Sequence, residues 1–139
     1  MADVFTREKR SSIMRQVKGA DTKPELRVRR WLHARGFRFR LHRKDLPGRP
    51  DIVLPGRGAV VFVHGCFWHG HRGCKRSALP TSNHEYWEKK IGRNLVRDRR
   101  NAAKLRRLGW RVLTIWECEV GKESVMRRRL EAPLRRAER

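Results

Sequence analysis

The chain has little acid to set against its base: 14 Asp and Glu stand beside 36 Lys and Arg, for a formal charge of +22. A deficit of that size opposes compaction unless a polyanion neutralises it, and it draws the chain to nucleic acid or, in competition, to an acidic membrane surface. Long apolar runs are also missing. None approaches the roughly 20 residues that span a bilayer, which excludes a membrane-spanning helix. The charged N-terminus has no signal-peptide pattern, so the expected compartment is the cytoplasm. Cysteine is scarce as well. Three thiols cannot all pair within the chain, and a reducing compartment with a metal site suits them better than a disulfide framework. No internal repeat is evident, and 139 residues provide for one core rather than two. What is present argues against a disordered basic tail: five tryptophans and a 38% apolar share describe a folded domain that faces nucleic acid.

Residues 1–20 are polar and basic, with Ile13, Met14 and Val17 at helical spacing. They read as a short helix docked on the body, or as an arm whose apolar tip reaches along DNA. Thr22-Lys23-Pro24-Glu25 has the form of a capping box, opening a helix that should run to Arg35 and stop at Gly36. Glu25, Val28 and Leu32 share one face, and Arg27, Arg29 and Arg30 occupy the rest, so the first face is the buried one. Glu25 can cap its own helix, or the same alignment can aim it inward towards a site.

Residues 37–41 alternate with period two, as a half-buried strand does. Turn chemistry at Leu46-Pro47-Gly48-Arg49-Pro50 leads into a second strand over 51–54, and the apolar run 59–63 suits the centre of a sheet. Ser82-Asn83-His84-Glu85 is a second capping-box pattern, predicting a long basic helix that ends near Leu108. A fourth strand over 110–116 follows that helical crossover, so it should lie parallel to its neighbour. The tail from Lys122 reads as a basic helix with a thin apolar stripe of Leu130 and Leu134.

Chemistry concentrates after the third strand, where His64, His69 and His71 crowd together with Cys66, Cys74 and the Phe67-Trp68 pair. Cys66, His71 and Cys74, joined by Cys118 just past the fourth strand, offer four N/S ligands for a closed tetrahedral zinc site. By spacing alone His69 would serve as well as His71, and inert buried thiols are the plain alternative. Asp51 at a strand start, with His64 nearby, suits Mg²⁺ held against a phosphate and a histidine that activates water. An Asp after Pro is more often a turn former. Phe67, Trp68 and Trp87 are either local core or a wedge between base pairs.

Several stretches, in order, resemble the very-short-patch mismatch repair endonucleases. They are Pro47-Gly48-Arg49-Pro50-Asp51, Val63-His64-Gly65-Cys66-Phe67-Trp68-His69, and Glu88-Lys89-Lys90-Ile91-Gly92-Arg93-Asn94 with Arg97-Asp98-Arg99-Arg100. Leu108-Gly109-Trp110-Arg111-Val112-Leu113 and Trp116-Glu117-Cys118 complete the match, which runs from about Thr6 to Cys118. The resemblance implies an α/β restriction-endonuclease-like core, a central mixed β-sheet flanked by α-helices, with a structural zinc site. It implies one endonuclease domain over 1–139, with a basic arm (1–20), a catalytic core (21–118) and a basic C-terminal helix (119–139). The implied reaction is Mg²⁺-dependent nicking of double-stranded DNA beside the T of a T:G mispair left by 5-methylcytosine deamination.

Carried over by position, Asp51 resembles the metal-bridging carboxylate, with the main-chain carbonyl of Val63 as a second Mg²⁺ contact. His69 resembles the general base, His64 a second active-site histidine, and Glu25 an acidic helper in the metal's water shell. Cys66, His71, Cys74 and Cys118 match the zinc ligands. Phe67, Trp68, Trp87 and, on the arm, Met14 look like the intercalating wedge, and Lys90 and Asn94 like contacts at the mispair. Arg72-Gly73 adds a residue before Cys74, and Gly70 stands where relatives can carry another histidine. Mismatch-repair proteins are candidate partners, and a single-strand nick asks only for a monomer. The competing expectations are a non-catalytic zinc-stabilised nucleic-acid-binding module, or a related nuclease with another target.

Overall fold

Helix α1 (Lys23–Ala34) starts where the Thr22 side-chain oxygen accepts the Glu25 N–H at 3.4 Å, with Pro24 in its first turn. It ends at Arg35, and Gly36 takes the left-handed backbone (φ +82°) that reverses the chain. This computed structural model describes residues 21–136; Met14 and the arm expected over 1–20 lie outside them. Glu25, Val28 and Leu32 form the buried face of α1, as their spacing requires. The Glu25 side chain does not turn back to complete the capping box. It points inward, 2% exposed, and bonds to Arg29 and His42.

Four strands form one mixed sheet in the order β1-β2-β3-β4: β1 (Arg40–Leu41), β2 (Ile52–Leu54), β3 (Ala59–His64) and β4 (Arg111–Trp116). The first three make an antiparallel meander, and β4 lies parallel to β3, pairing Val60 with Val112 and His64 with Trp116. The strand expected over 37–41 shrinks to its last two residues. The Phe37 N–H bonds to Leu32 O at 3.1 Å, closing the end of α1, so it is not free for a ladder. Its ring, 3% exposed, joins the core from the connecting segment.

Both faces of the sheet are covered. On one, Ile52, Leu54, Ala59, Val61 and Ile115 pack against Val28 and Leu32 of α1. On the other, Val53 and Val60, with Phe62 and Val112 partly buried, meet Leu105 of helix α2 (His84–Arg107) and Leu46. The capping box expected at 82–85 does not form. Asn83 takes the N-cap position in the left-handed region (φ +55°) with no side-chain bond, and Ser82 precedes the cap by one residue. The far end of α2 stops as expected, at Leu108 with Gly109 at φ +96°.

The tail differs from the thin stripe read from sequence. It comprises α3 (Glu123–Met126), a π-helical turn (Arg127–Glu131) and α4 (Ala132–Arg135). Met126, Leu130 and Leu134 are buried in the same cluster as α1 and the sheet. Among the described residues, no helix is long and apolar enough to cross a membrane.

Candidate active site and metal centre

The antiparallel register of β2 and β3 pairs Ile52 with Val61 and brings Asp51 alongside the end of β3. There Asp51 Oδ2 accepts the Val63 N–H at 2.7 Å. Burial pushes the Asp51 carboxyl up to about 6; the Val63 N–H opposes the rise, the Glu25 charge adds to it and His42 opposes it. The inward turn of Glu25 on α1 therefore places two carboxylates in one poorly hydrated space. Glu25, Asp51, Val63, His64, His69 and Asp98 all line a single open cleft of about 1280 Å³.

Across the cleft, the His64 and His69 rings stack with centroids 3.8 Å apart and planes 3° from parallel. His69 Nδ1 lies 2.7 Å from Asp98 Oδ2 on α2. Burial opposes ionisation of Asp98, but the His69 bond and the charges of His69 and Arg97 hold its carboxyl below the usual range. His64 moves the other way: burial first, then the charge of His69, pull it down to about 3, so it stays neutral. Its Nδ1 is buried without a hydrogen-bond partner among the described residues. Asp98 orients His69 so that Nδ1 donates and Nε2 is left to accept a proton, the arrangement a general base needs.

Sequence reasoning placed Asp98 within a motif but gave it no role. A signal was available, since it is the sole acid between Glu88 and Glu117 in a strongly basic stretch. His42 also went unnoticed. It lies in a polar connection without periodicity and reaches Glu25 through a left-handed backbone (φ +51°), with Nε2 3.0 Å from Glu25 Oε2.

On the other side of the loop, Cys66 Sγ, His71, Cys74 Sγ and Cys118 Sγ place one ligand atom each within 4.8 Å of one another, a group that can hold a metal ion. Cys118 Sγ is 3.4 Å from His71 Nδ1, and the Cys118 N–H bonds to Cys66 Sγ at 3.4 Å. The choice left open by spacing resolves geometrically, because His71 joins the thiols and His69 joins Asp98. The His71 ring stacks on Trp116 at 4.1 Å, fixing it beside the sheet end. Gly70 (φ +60°) lets the loop pass so close to α2 that an added Cβ would lie 2.8 Å from Ile91 Cγ2, so a histidine would collide at this approach.

Phe67, Trp68 and Trp87 form a half-buried aromatic group with centroids 5.2 to 5.7 Å apart, and Tyr86, 52% exposed, extends it edge-on. The Asn94 amide donates to Trp68 O at 2.9 Å, tying the loop to α2 one turn beyond the half-buried Lys90.

A family model described as DNA mismatch endonuclease Vsr matches residues 2–76, more than half the chain. The chain belongs to the Vsr family. It is 54% identical over 115 residues to the Type II nicking enzyme V.XorIIP of Xanthomonas oryzae pv. oryzae, which covers 83% of this chain and 84% of that one. It is 44% identical over 115 residues to the DNA mismatch endonuclease Vsr of Escherichia coli, covering 83% of this chain and 73% of that one. The Type II nicking enzyme V.NmeAIP of Neisseria meningitidis is also 44% identical, over 83% of this chain and 81% of its own. The Vsr match takes in Glu25, Asp51, His64, His69, Cys66, His71 and Cys74. Asp98 and Cys118 reach the same loop from the part of the fold beyond it.

Proposed function

We propose that this Vsr-family endonuclease uses Mg²⁺ to nick one strand of double-stranded DNA beside the T of a T:G mispair, within a restriction-endonuclease-like core. The observation that carries the reading is the meeting of Asp51, Glu25 and the Asp98–His69 pair in one cleft of a strongly basic domain. Two carboxylates facing one buried space suit a hard, oxygen-seeking cation, and burial together with the Glu25 charge raises the Asp51 carboxyl there. Asp51, with the main-chain carbonyl of Val63, would hold Mg²⁺, and Glu25 would order its water shell. Bound there, the ion supplies charge stabilisation to the phosphate oxygens. His69 accepts the proton of the attacking water at Nε2 while Asp98 keeps the other nitrogen protonated. Neutral His64 supports the ring by stacking and adds no competing charge.

The Cys66-His71-Cys74-Cys118 group suits zinc: three thiolates and an imidazole, at a spacing compatible with bonds of about 2.0 to 2.3 Å, leave no open position for catalysis. Zinc there would brace the loop that carries His69 and the aromatic wedge of Phe67, Trp68 and Trp87. Met14 on the arm would complete the wedge, and Lys90 and Asn94 would lie at the mispair. Repair of deaminated 5-methylcytosine by a cytoplasmic monomer, with mismatch-repair proteins as partners, is the setting this chemistry serves.

The test compares T:G and matched T:A duplexes, with zinc-loaded protein and Mg²⁺. Nicking confined to the mismatched duplex and lost in Asp51→Ala supports the reading. Inactivity on both duplexes from folded protein sinks it, and equal cleavage of both indicates a nuclease with a different trigger.

A further inference from the structure

The cleft does not end at the Asp98–His69 pair. Beyond it, one wall is the turn before β2, with Gly48 and Arg49, and the other is the second half of α2, with Arg99, Asn101, Ala102 and Arg106. Asp98, Ala102 and Arg106 stand four residues apart, so the helix face that presents Asp98 to His69 runs on to Arg106. The turn is fitted to that helix at close range: Gly48 has φ +74°, and a Cβ there would lie 3.0 Å from Asn101 Cβ. Arg49 follows in the left-handed region as well (φ +46°), a costly backbone for a non-glycine residue that also precedes a proline. Glycine would avoid that cost; what it could not supply is the guanidinium. Arg49, Arg99 and Arg106 are all exposed, and their guanidinium groups have neither ion pair nor hydrogen bond among the described residues. Arg29, Arg35 and Arg43, by contrast, each pair with a carboxylate. Unpaired cations that converge on one cleft from two elements mark a place for anions.

We propose that Arg49, Arg99 and Arg106 form a phosphate lane, which holds the backbone of the strand to be nicked on the side of the scissile bond away from the mispair. The inference rests on the wedge and mispair contacts proposed above. Those contacts, Trp87, Lys90 and Asn94, occupy the first half of α2; Asp98 follows, and Arg99 and Arg106 come after it, with Arg49 opposite. The eight residues from Asp98 to Arg106 span about 12 Å of helix. That is room for about three phosphates of one strand, at ~3.4 Å of duplex axis each. Contacts of this kind read no bases. They fix the register of the duplex and hold the scissile phosphate against His69 while the wedge opens the stack. Arg49 is two residues from Asp51, so the turn that aims it also leads into the β2 carboxylate.

The test uses the zinc-loaded full chain and T:G duplexes in which one backbone phosphate of the strand to be nicked is an uncharged methylphosphonate. The modification lies within three nucleotides beyond the nick, or at the same distance beyond the mispair. Fluorescence anisotropy reads affinity. Modification beyond the nick should weaken wild-type binding about tenfold at one or more positions. Arg49→Gln should weaken binding to the unmodified duplex about as much, and lower the slope of log affinity against log salt by about one. On the modified duplex that variant should lose little more, because the two partners of one contact are then both gone. Arg106→Gln should show the same coupling to a different one of the three phosphates. Arg49→Gly separates contact from strain: its melting temperature should equal or exceed that of wild type, while its affinity falls as in Arg49→Gln. Losses that multiply at all three positions overturn the lane, as does wild-type indifference to modification beyond the nick. Coupling to phosphates beyond the mispair instead overturns its placement. A wild type that nicks T:G and T:A duplexes alike overturns the trigger proposed above, whereas the coupling of Arg49 to a phosphate can be read on either duplex and still decides the lane.

Discussion

At Asp51 the surroundings set a definite relation between pH, stability and cation binding. The folded carboxyl is raised to about 6 by burial and by the Glu25 charge, above its value in an unfolded chain. Its contribution to stability is therefore full below the unfolded value and lost as pH rises through about 6. Without Mg²⁺, Asp51→Asn should be more stable than wild type at about pH 8, by on the order of 2 kcal/mol, and the gap should close near pH 4. Urea melts at the two pH values check this, and a gap of the same size at both would contradict it. With Mg²⁺ at Asp51 as proposed, protons would compete with it, and the Mg²⁺ needed for half-maximal nicking should rise about tenfold from pH 7 to pH 5. Asp98 acts through another residue. In Asp98→Asn the amide no longer fixes the tautomer of His69, and single-turnover nicking should fall by about 100-fold or more. Affinity for the duplex, read by fluorescence anisotropy, should change much less than the rate, because Asp98 is held chiefly by His69 at 2.7 Å and is only loosely paired with Arg97 at 3.6 Å.

Among the elements, the loop that carries Cys66, His71 and Cys74 is built to fit α2 at close range. Gly70 has a left-handed backbone and a would-be Cβ only 2.8 Å from Ile91 Cγ2. Gly70→Ala should cost about 1–3 kcal/mol by strain and overpacking together, measured as a drop in melting temperature. Adding Ile91→Ala should recover the overpacking part alone, so the double variant should be more stable than the sum of the two single changes implies. If the two losses simply add, the contact is not the cause. These elements also show what a sequence makes legible. The start and stop of α1 could be read because Thr22, Pro24 and Gly36 each act within one turn. The 82–85 cap could not, since whether Ser82 or Asn83 takes the N-cap position depends on how the incoming loop meets α2. The Phe37 strand failed for a related reason: period-two alternation does not reveal that the Phe37 N–H is already engaged by Leu32. The carboxylate and histidine types were legible from spacing and resemblance. The Asp98–His69 and His42–Glu25 pairs depend on which helix face meets the sheet end, and one chain's periodicity does not say that.

For the molecule as a whole, the basic tail changes meaning once its packing is known. Its charge reads as a surface device, yet Met126, Leu130 and Leu134 lie in the cluster with Val28, Leu32 and the strands. Two arginines of the body also serve it: Arg111 Nη1 donates to Pro133 O at 2.5 Å and Arg57 Nη1 to Leu134 O at 3.2 Å. Cations at the end of a helical segment interact favourably with its last carbonyls, here including Pro133 O, which also accepts the Arg136 N–H at 3.3 Å. Part of the +22 charge is thus structural and unavailable to phosphates. A chain cut after Lys122 should then fail to fold as a catalytic core, since one face of the sheet would lose the part of its cover that Met126, Leu130 and Leu134 add to α1. Point changes separate the two roles without truncation. Leu130→Ala should cost about 2–5 kcal/mol through the cavity it leaves, whereas Arg128→Gln on the exposed side should stay within about 0.5 kcal/mol. Denaturant melts of zinc-loaded protein measure both. Comparable small losses would mean that the tail is an appendage to the sheet, and a folded, active truncation would mean that the core ends before it.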